Sequence, residues 1–197
     1  SVLHLLGTPG YVVDQNGQTL GGALFSALGL HLNWYEGRTG WLPGAWDVLW
    51  SLSIEELFYL AFPLLCLWLP RWALVLGLAA LAVSLPWTRA ALAGNEIWQE
   101  KAYLPGMSAI AFGVLAALLA QRWTPSRGFA RCAALLGGLG LLGLFFYGDL
   151  VWRQIRDASL LMLCASACLL ALAAHWLRPA PLPGLGWLAR LGQLSYE

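Results

Sequence analysis

WDVLWSLSIEELFYLAFPLLCLWLP, residues 46–70, is an apolar stretch without glycine and with Pro63 as its only interior proline, yet Glu55 and Glu56 stand in its middle. A helix over 45–69 would extend roughly 37 Å at about 1.5 Å per residue, enough to cross the roughly 30 Å hydrocarbon layer with some tilt. Glu55 would then lie about 15 Å in. An ionisable side chain at that depth costs at least about 2.5 to 3.5 kcal/mol, so it is kept for a function or for a polar pocket. On the helical wheel Glu55 shares a face with Ser51, Leu52, Phe58 and Tyr59, which gives the carboxylate a hydroxyl one turn to either side. Glu56 points about 100° away, toward Ser53, Leu52 and Leu60. The expectation is a Glu55 that faces a polar cavity inside a helical bundle, with Glu56 as an auxiliary or as partner of a base elsewhere. The alternative is that both acids pair with Arg or Lys of another helix and only fix packing.

Composition places the rest of the chain around that helix. Of 197 residues 59% are hydrophobic and 11% charged, with a mean hydropathy of +0.66. A water-soluble domain needs about 25% charge to cover its surface, so membrane is the default class. The net charge of +1 argues against a nucleic-acid partner, because no basic face exists to neutralise phosphates. Cys66, Cys132, Cys164 and Cys168 all fall in or beside apolar runs and read as small core residues. Cys164 and Cys168 are one turn apart but have no His or acid nearby, which argues against a metal site.

Four further apolar runs follow the Glu helix, over 72–92, 103–121, 128–147 and 158–177, each of spanning length. Gly137, Gly138, Gly140 and Gly143 in the run 128–147 invite close helix contact. Before the Glu helix, residues 21–33 (GGALFSALGLHLN) suit a short interfacial helix, and residues 34–47 (WYEGRTGWLPGAWD) read as a polar, glycine-rich loop at headgroup level. His31 and Arg38 are the polar residues there that could meet a ligand, with solvent exposure the plainer expectation. The opening residues have no initiating Met, basic start or small-residue cleavage site, and the chain ends where a further span should begin. It reads as one integral-membrane domain over 1–197, an internal piece of a longer protein.

Loop charge sets an orientation. With the Glu helix running from outside to inside, Arg71, Arg122, Arg127, Arg131, Arg178 and Arg190 fall on the inner side, with no acid. The outer side holds Arg38, Arg89, Lys101, Arg153 and Arg156 together with seven acids. The inner loops are shorter and denser in Arg, which makes the Trp-rich loop extracytoplasmic.

Trp50-Ser51-Leu52-Ser53-Ile54-Glu55-Glu56-Leu57-Phe58-Tyr59-Leu60 resembles the signature W-S-L-x-x-E-E-x-F-Y-L of the membrane acyltransferase family often called acyltransferase 3, down to the following Pro63. Leu191-Gly192-Gln193-Leu194-Ser195-Tyr196 is similar to that family's late motif L-G-x-x-S-Y. The resemblance implies an all-α, multi-pass transmembrane bundle of roughly ten helices, of which this chain lacks the N-terminal and last C-terminal ones. It implies an integral-membrane O-acyltransferase of the plasma (bacterial inner) membrane. Such an enzyme moves an acyl group, commonly acetyl, from acyl-CoA to a hydroxyl of a cell-surface carbohydrate or lipid-linked glycan. Acyl-CoA is then a co-substrate, membrane lipid a partner, and no bound cofactor is implied.

Carried over residue by residue, the family's Glu falls on Glu55, with Trp50, Ser51, Tyr59 and Glu56 as the surrounding substrate-binding candidates. Leu57 departs from the usual Gln or His. The family's N-terminal Arg and catalytic His belong to an earlier helix, so this piece alone is expected to be inactive. O-acylation needs a base and a group that orients it, and a buried carboxylate suits the second task. Two other classes compete: a transporter or flippase that couples protons through the Glu pair, and a bundle that kept the fold without the chemistry.

Overall fold

The computed structural model describes Gly7 and residues 11–13, 17–177, 186–187 and 190–191. Among the described residues every regular element is helical. In chain order they are α1 (Leu20–Leu28), α2 (Leu32–Thr39), α3 (Gly44–Asp47), α4 (Leu49–Trp68), α5 (Arg71–Val83), α6 (Leu85–Ala90), α7 (Glu96–Lys101), α8 (Tyr103–Arg122), α9 (Arg127–Ile155), a 3₁₀ turn (Arg156–Ala158) and α10 (Ser159–Leu177). Three segments are long and apolar enough to cross a membrane: Leu49–Trp68, Glu96–Arg122 and Arg127–Leu177, the last containing both α9 and α10. The expected all-α architecture of apolar helices is the one found.

Helix α8 stands at the centre, touching α4, α5, α6, α7 and α10. Small side chains let it do so. Ser108 and Ala111 are fully buried, and Ala111 meets Leu78 and Ala82 of α5. At Gly106 a Cβ would collide with Ile54 of α4, so the glycine is what admits that helix. Helix α9 lies along α10 and turns the rest of its surface outward. Leu135, Leu136, Leu139, Leu142, Phe145 and Phe146 are each between 54% and 81% exposed. In water such a stripe would drive association, whereas lipid tails are as apolar as the side chains themselves.

The α9–α10 contact depends on two of the four glycines. A Cβ at Gly137 would approach the Ser166 carbonyl to 2.7 Å, and one at Gly140 would overlap the Ser166 hydroxyl, whereas Gly138 and Gly143 face open space. Gly137→Val and Gly140→Val should therefore each destabilise the helix pair by about 1 to 3 kcal/mol through overpacking. Gly143→Val should be close to neutral. Unfolding titrations in detergent micelles, with the three variants side by side, check this.

Several boundaries differ from the sequence expectation. The run 72–92 is not one helix but breaks at Ser84, because Pro86 has no N–H for the Ala82 carbonyl and its ring crowds that turn. The Ser84 and Thr88 hydroxyls turn back onto the Leu81 and Leu85 carbonyls at 2.8 and 3.0 Å. Helix α5 alone, at 13 residues, spans only about 20 Å. The run 128–147 continues to Ile155 past a kink at Tyr147 (φ −125°, ψ 28°), next to Gly148. The runs 103–121 and 158–177 match α8 and α10 closely. Residues 34–47 are mostly helix, in α2 and α3, rather than loop, because Leu32, Asn33 and Glu36 form a buried face. Cys66 and Cys132 are exposed, not core, since their helices present those faces outward; Cys164 and Cys168 are half-buried. The late motif at 192–196 and the proline-rich turn over 179–185 lie outside the described residues.

Polar and aromatic contacts divide between the two ends of the helices. At one end Gln99 donates to Asp157 at 3.4 Å, Arg89 lies over the Trp152 ring at 5.6 Å, and Lys101 meets Glu36. At the other, Trp123, Phe129 and Trp176 form a ring cluster with centroids 4.9 to 6.1 Å apart, beside Arg122 and Arg127 in sequence. They fall in the two sets of loop residues that the charge count of the sequence sorts apart.

Candidate active site

Helix α4 starts at Leu49 without a side-chain N-cap, and the Ser51 hydroxyl instead bonds back to the Val48 carbonyl at 3.1 Å. Pro63 sits inside the helix, so the Tyr59 carbonyl one turn earlier lacks its usual donor. Ser53 and Ile54 are the buried residues of α4, Ile54 fitting against Gly106. Glu55 follows immediately and is half-buried, Glu56 is exposed, Trp50 and Ser51 are half-buried, and Tyr59 is 62% exposed. Phe58 stacks on Phe62 with centroids 4.9 Å apart.

Glu55 therefore lies about 100° around α4 from Ile54, the residue that seats against α8, on the face that runs through Phe58 to Phe62. Ser53 and Ile54 take the fully buried positions, with Glu55 half-buried beside them. Neither Glu55 nor Glu56 has a hydrogen-bond or ion-pair partner among the described residues, so the pairing with Arg or Lys that would make them purely structural is not seen there. His31 caps the start of α2, half-buried and edge-on to Phe25 and Trp34, and His175 is exposed near the end of α10. Neither bonds to Glu55. Arg38 is exposed and lies over the Trp34 ring at 4.2 Å. An unpaired carboxylate flanked by hydroxyls can accept from an imidazole N–H or a sugar hydroxyl.

A second polar centre was not foreseen from the sequence. Glu36 of α2 and Lys101 of α7 pair at 2.9 Å with side chains 0% and 2% exposed. The Leu42 amide donates to the other Glu36 oxygen at 3.2 Å, the ammonium lies 4.4 Å from the Trp41 ring, and Asn33 donates to the Lys101 carbonyl at 3.0 Å. Nearby, Asn95 caps α7 through the Trp98 amide and reaches the Gly37 carbonyl at 3.0 Å, while the Trp98 ring packs where a Gly37 side chain would stand. The Tyr103 hydroxyl closes the group on the Leu30 carbonyl at 2.7 Å. One signal was available: Lys101 is the only lysine among eleven basic residues. This cluster ties α2 to α7 and is structural in character.

No curated protein and no solved structure matches the chain. A family model described as an acyltransferase domain, acyltransferase 3, matches residues 2–197. With a match over nearly the whole sequence and a carboxylate pair set in an apolar helix, the chain belongs to the acyltransferase 3 family of membrane acyltransferases.

Proposed function

We propose that this protein is a multi-pass enzyme of the bacterial inner membrane that moves an acyl group, acetyl in the simplest case, from acyl-CoA to a hydroxyl of a cell-surface carbohydrate or lipid-linked glycan. The observation that carries the reading is Glu55: a carboxylate midway along an apolar helix, in the W-S-L-S-I-E-E-L-F-Y-L stretch, with no counter-ion among the described residues. A carboxylate at hydrocarbon depth facing lipid alone is costly, so its face calls for a polar partner. A base and an acceptor hydroxyl are such partners.

In the reaction, the acceptor oxygen attacks the thioester carbonyl, the C–O bond forms, the C–S bond breaks, and the hydroxyl proton passes through the base to the departing thiolate. Glu55 orients the base or holds the acceptor hydroxyl. The base is a His of the helix that the family resemblance places earlier in chain order. Ser51, Glu56, Trp50 and Tyr59 line the acceptor side. The transporter reading needs further ionisable residues at matching depth in other helices, and the long helices after α4 offer few, Arg131 and Asp149 toward the two ends of α9 and His175 near the end of α10.

Membranes containing the full-length protein and given acetyl-CoA labelled in the acetyl group should accumulate base-labile label in a glycan fraction. Membranes without it should not. Glycan movement without label transfer, from any acyl donor tried, would favour the transporter instead.

A further inference from the structure

A cavity of about 850 Å³ opens between α4, α5 and α8, about two turns along α4 from Glu55, and its size falls among those of small-molecule sites. Phe62, Leu74, Leu115 and Leu119 form its apolar wall, and Arg71 and Arg122 stand at its end. Arg71 is the first residue of α5 and Arg122 the last of α8. Both are exposed, and neither pairs with a carboxylate among the described residues. Trp68 and Trp72, 80% and 68% exposed, flank Arg71 in sequence and set this end at the level where indole rings settle. From Leu115 to Arg122 the wall runs about 10 Å along α8, from that level into the hydrocarbon layer.

We propose that this cavity is a binding site for an anionic phospholipid, with the phosphate on Arg71 and Arg122 and one acyl chain along the leucine wall. The order of chemistry, two unpaired cations at the mouth and hydrocarbon behind them, is that of a phospholipid. Guanidinium groups match phosphate oxygens through paired N–H donors, and basic pockets between membrane helices hold acidic head groups. A helix from a protein partner would have to bring two carboxylates to this depth. Coenzyme A shares the phosphate chemistry, and competition between it and the lipid separates the two.

The test is native mass spectrometry of the full-length protein in mild detergent, titrated with phosphatidylglycerol and, separately, phosphatidylcholine. Phosphatidylglycerol should bind preferentially, and the preference should fall about fivefold for each arginine removed in Arg71→Gln and Arg122→Gln. Leu115→Trp, which fills the wall and leaves both arginines, should weaken both lipids alike. Because both arginines are exposed, their replacement leaves the fold intact, and the circular-dichroism spectrum checks this. Equal binding of the two lipids by the wild type, undiminished preference in the Arg71→Gln/Arg122→Gln protein, or displacement of bound phosphatidylglycerol by coenzyme A would each overturn the proposal.

Discussion

Glu55→Gln is expected to lower acyl transfer by at least about a hundredfold while protein abundance stays unchanged, the low end of what positioned acid–base groups contribute. Glutamine keeps the side chain's shape and one carbonyl acceptor but removes the charge. Orientation of an imidazole and stabilisation of the imidazolium formed in the reaction both depend on that charge. The fold does not depend on it, because Glu55 is half-buried and bonds to no described residue. Equal abundance with lost transfer assigns Glu55 to the chemistry. Lost abundance would assign it to packing. The exposed Glu56→Gln should have the smaller effect, and comparing the two at matched expression with labelled acetyl-CoA separates neighbours that sequence alone cannot rank.

Lys101→Met should destabilise the protein by about 3 to 5 kcal/mol, a large part of the 5 to 15 kcal/mol by which domains are ordinarily stable. The methionine fills most of the space but removes the ammonium that sits 2.9 Å from the fully buried Glu36 carboxylate. Glu36→Gln should cost a similar amount, because it removes the carboxylate charge 2.9 Å from the buried Lys101 ammonium. The double variant Glu36→Gln/Lys101→Met should be less destabilised than the sum, since the two removals cancel each other's uncompensated charge. Denaturant midpoints of the four proteins in detergent complete the cycle. Additive losses would mean that the 2.9 Å contact is not what holds α2 to α7.

The apolar helices were legible in the sequence because length and hydropathy govern them, and α8 and α10 fall where their runs predict. Proline chemistry was less legible. Pro63 stays inside an unbroken α4, whereas Pro86 divides the second run at Ser84, and nothing in the two local sequences separates the outcomes. Residues 34–47 misled because glycines and charges resemble a loop until Glu36 finds Lys101, 65 residues later. The Glu55 motif was recognisable as a pattern, but the wheel alone gave no sign that Ser53 and Ile54 would take the side facing α8. That choice is made by Gly106 on another helix.

The Glu36–Lys101 pair also bears on how such a chain is assembled. The acid is synthesised first, and the two helices α4 and α5 emerge before its partner. In the proposed multi-pass topology the pair can close only if both helices cross, returning Lys101 to the side where Glu36 waits. A nascent chain that left α5 outside the bilayer, as its short 13-residue run makes conceivable, would strand one charge on each face. The buried contact is thus available only to a chain whose helices have threaded correctly.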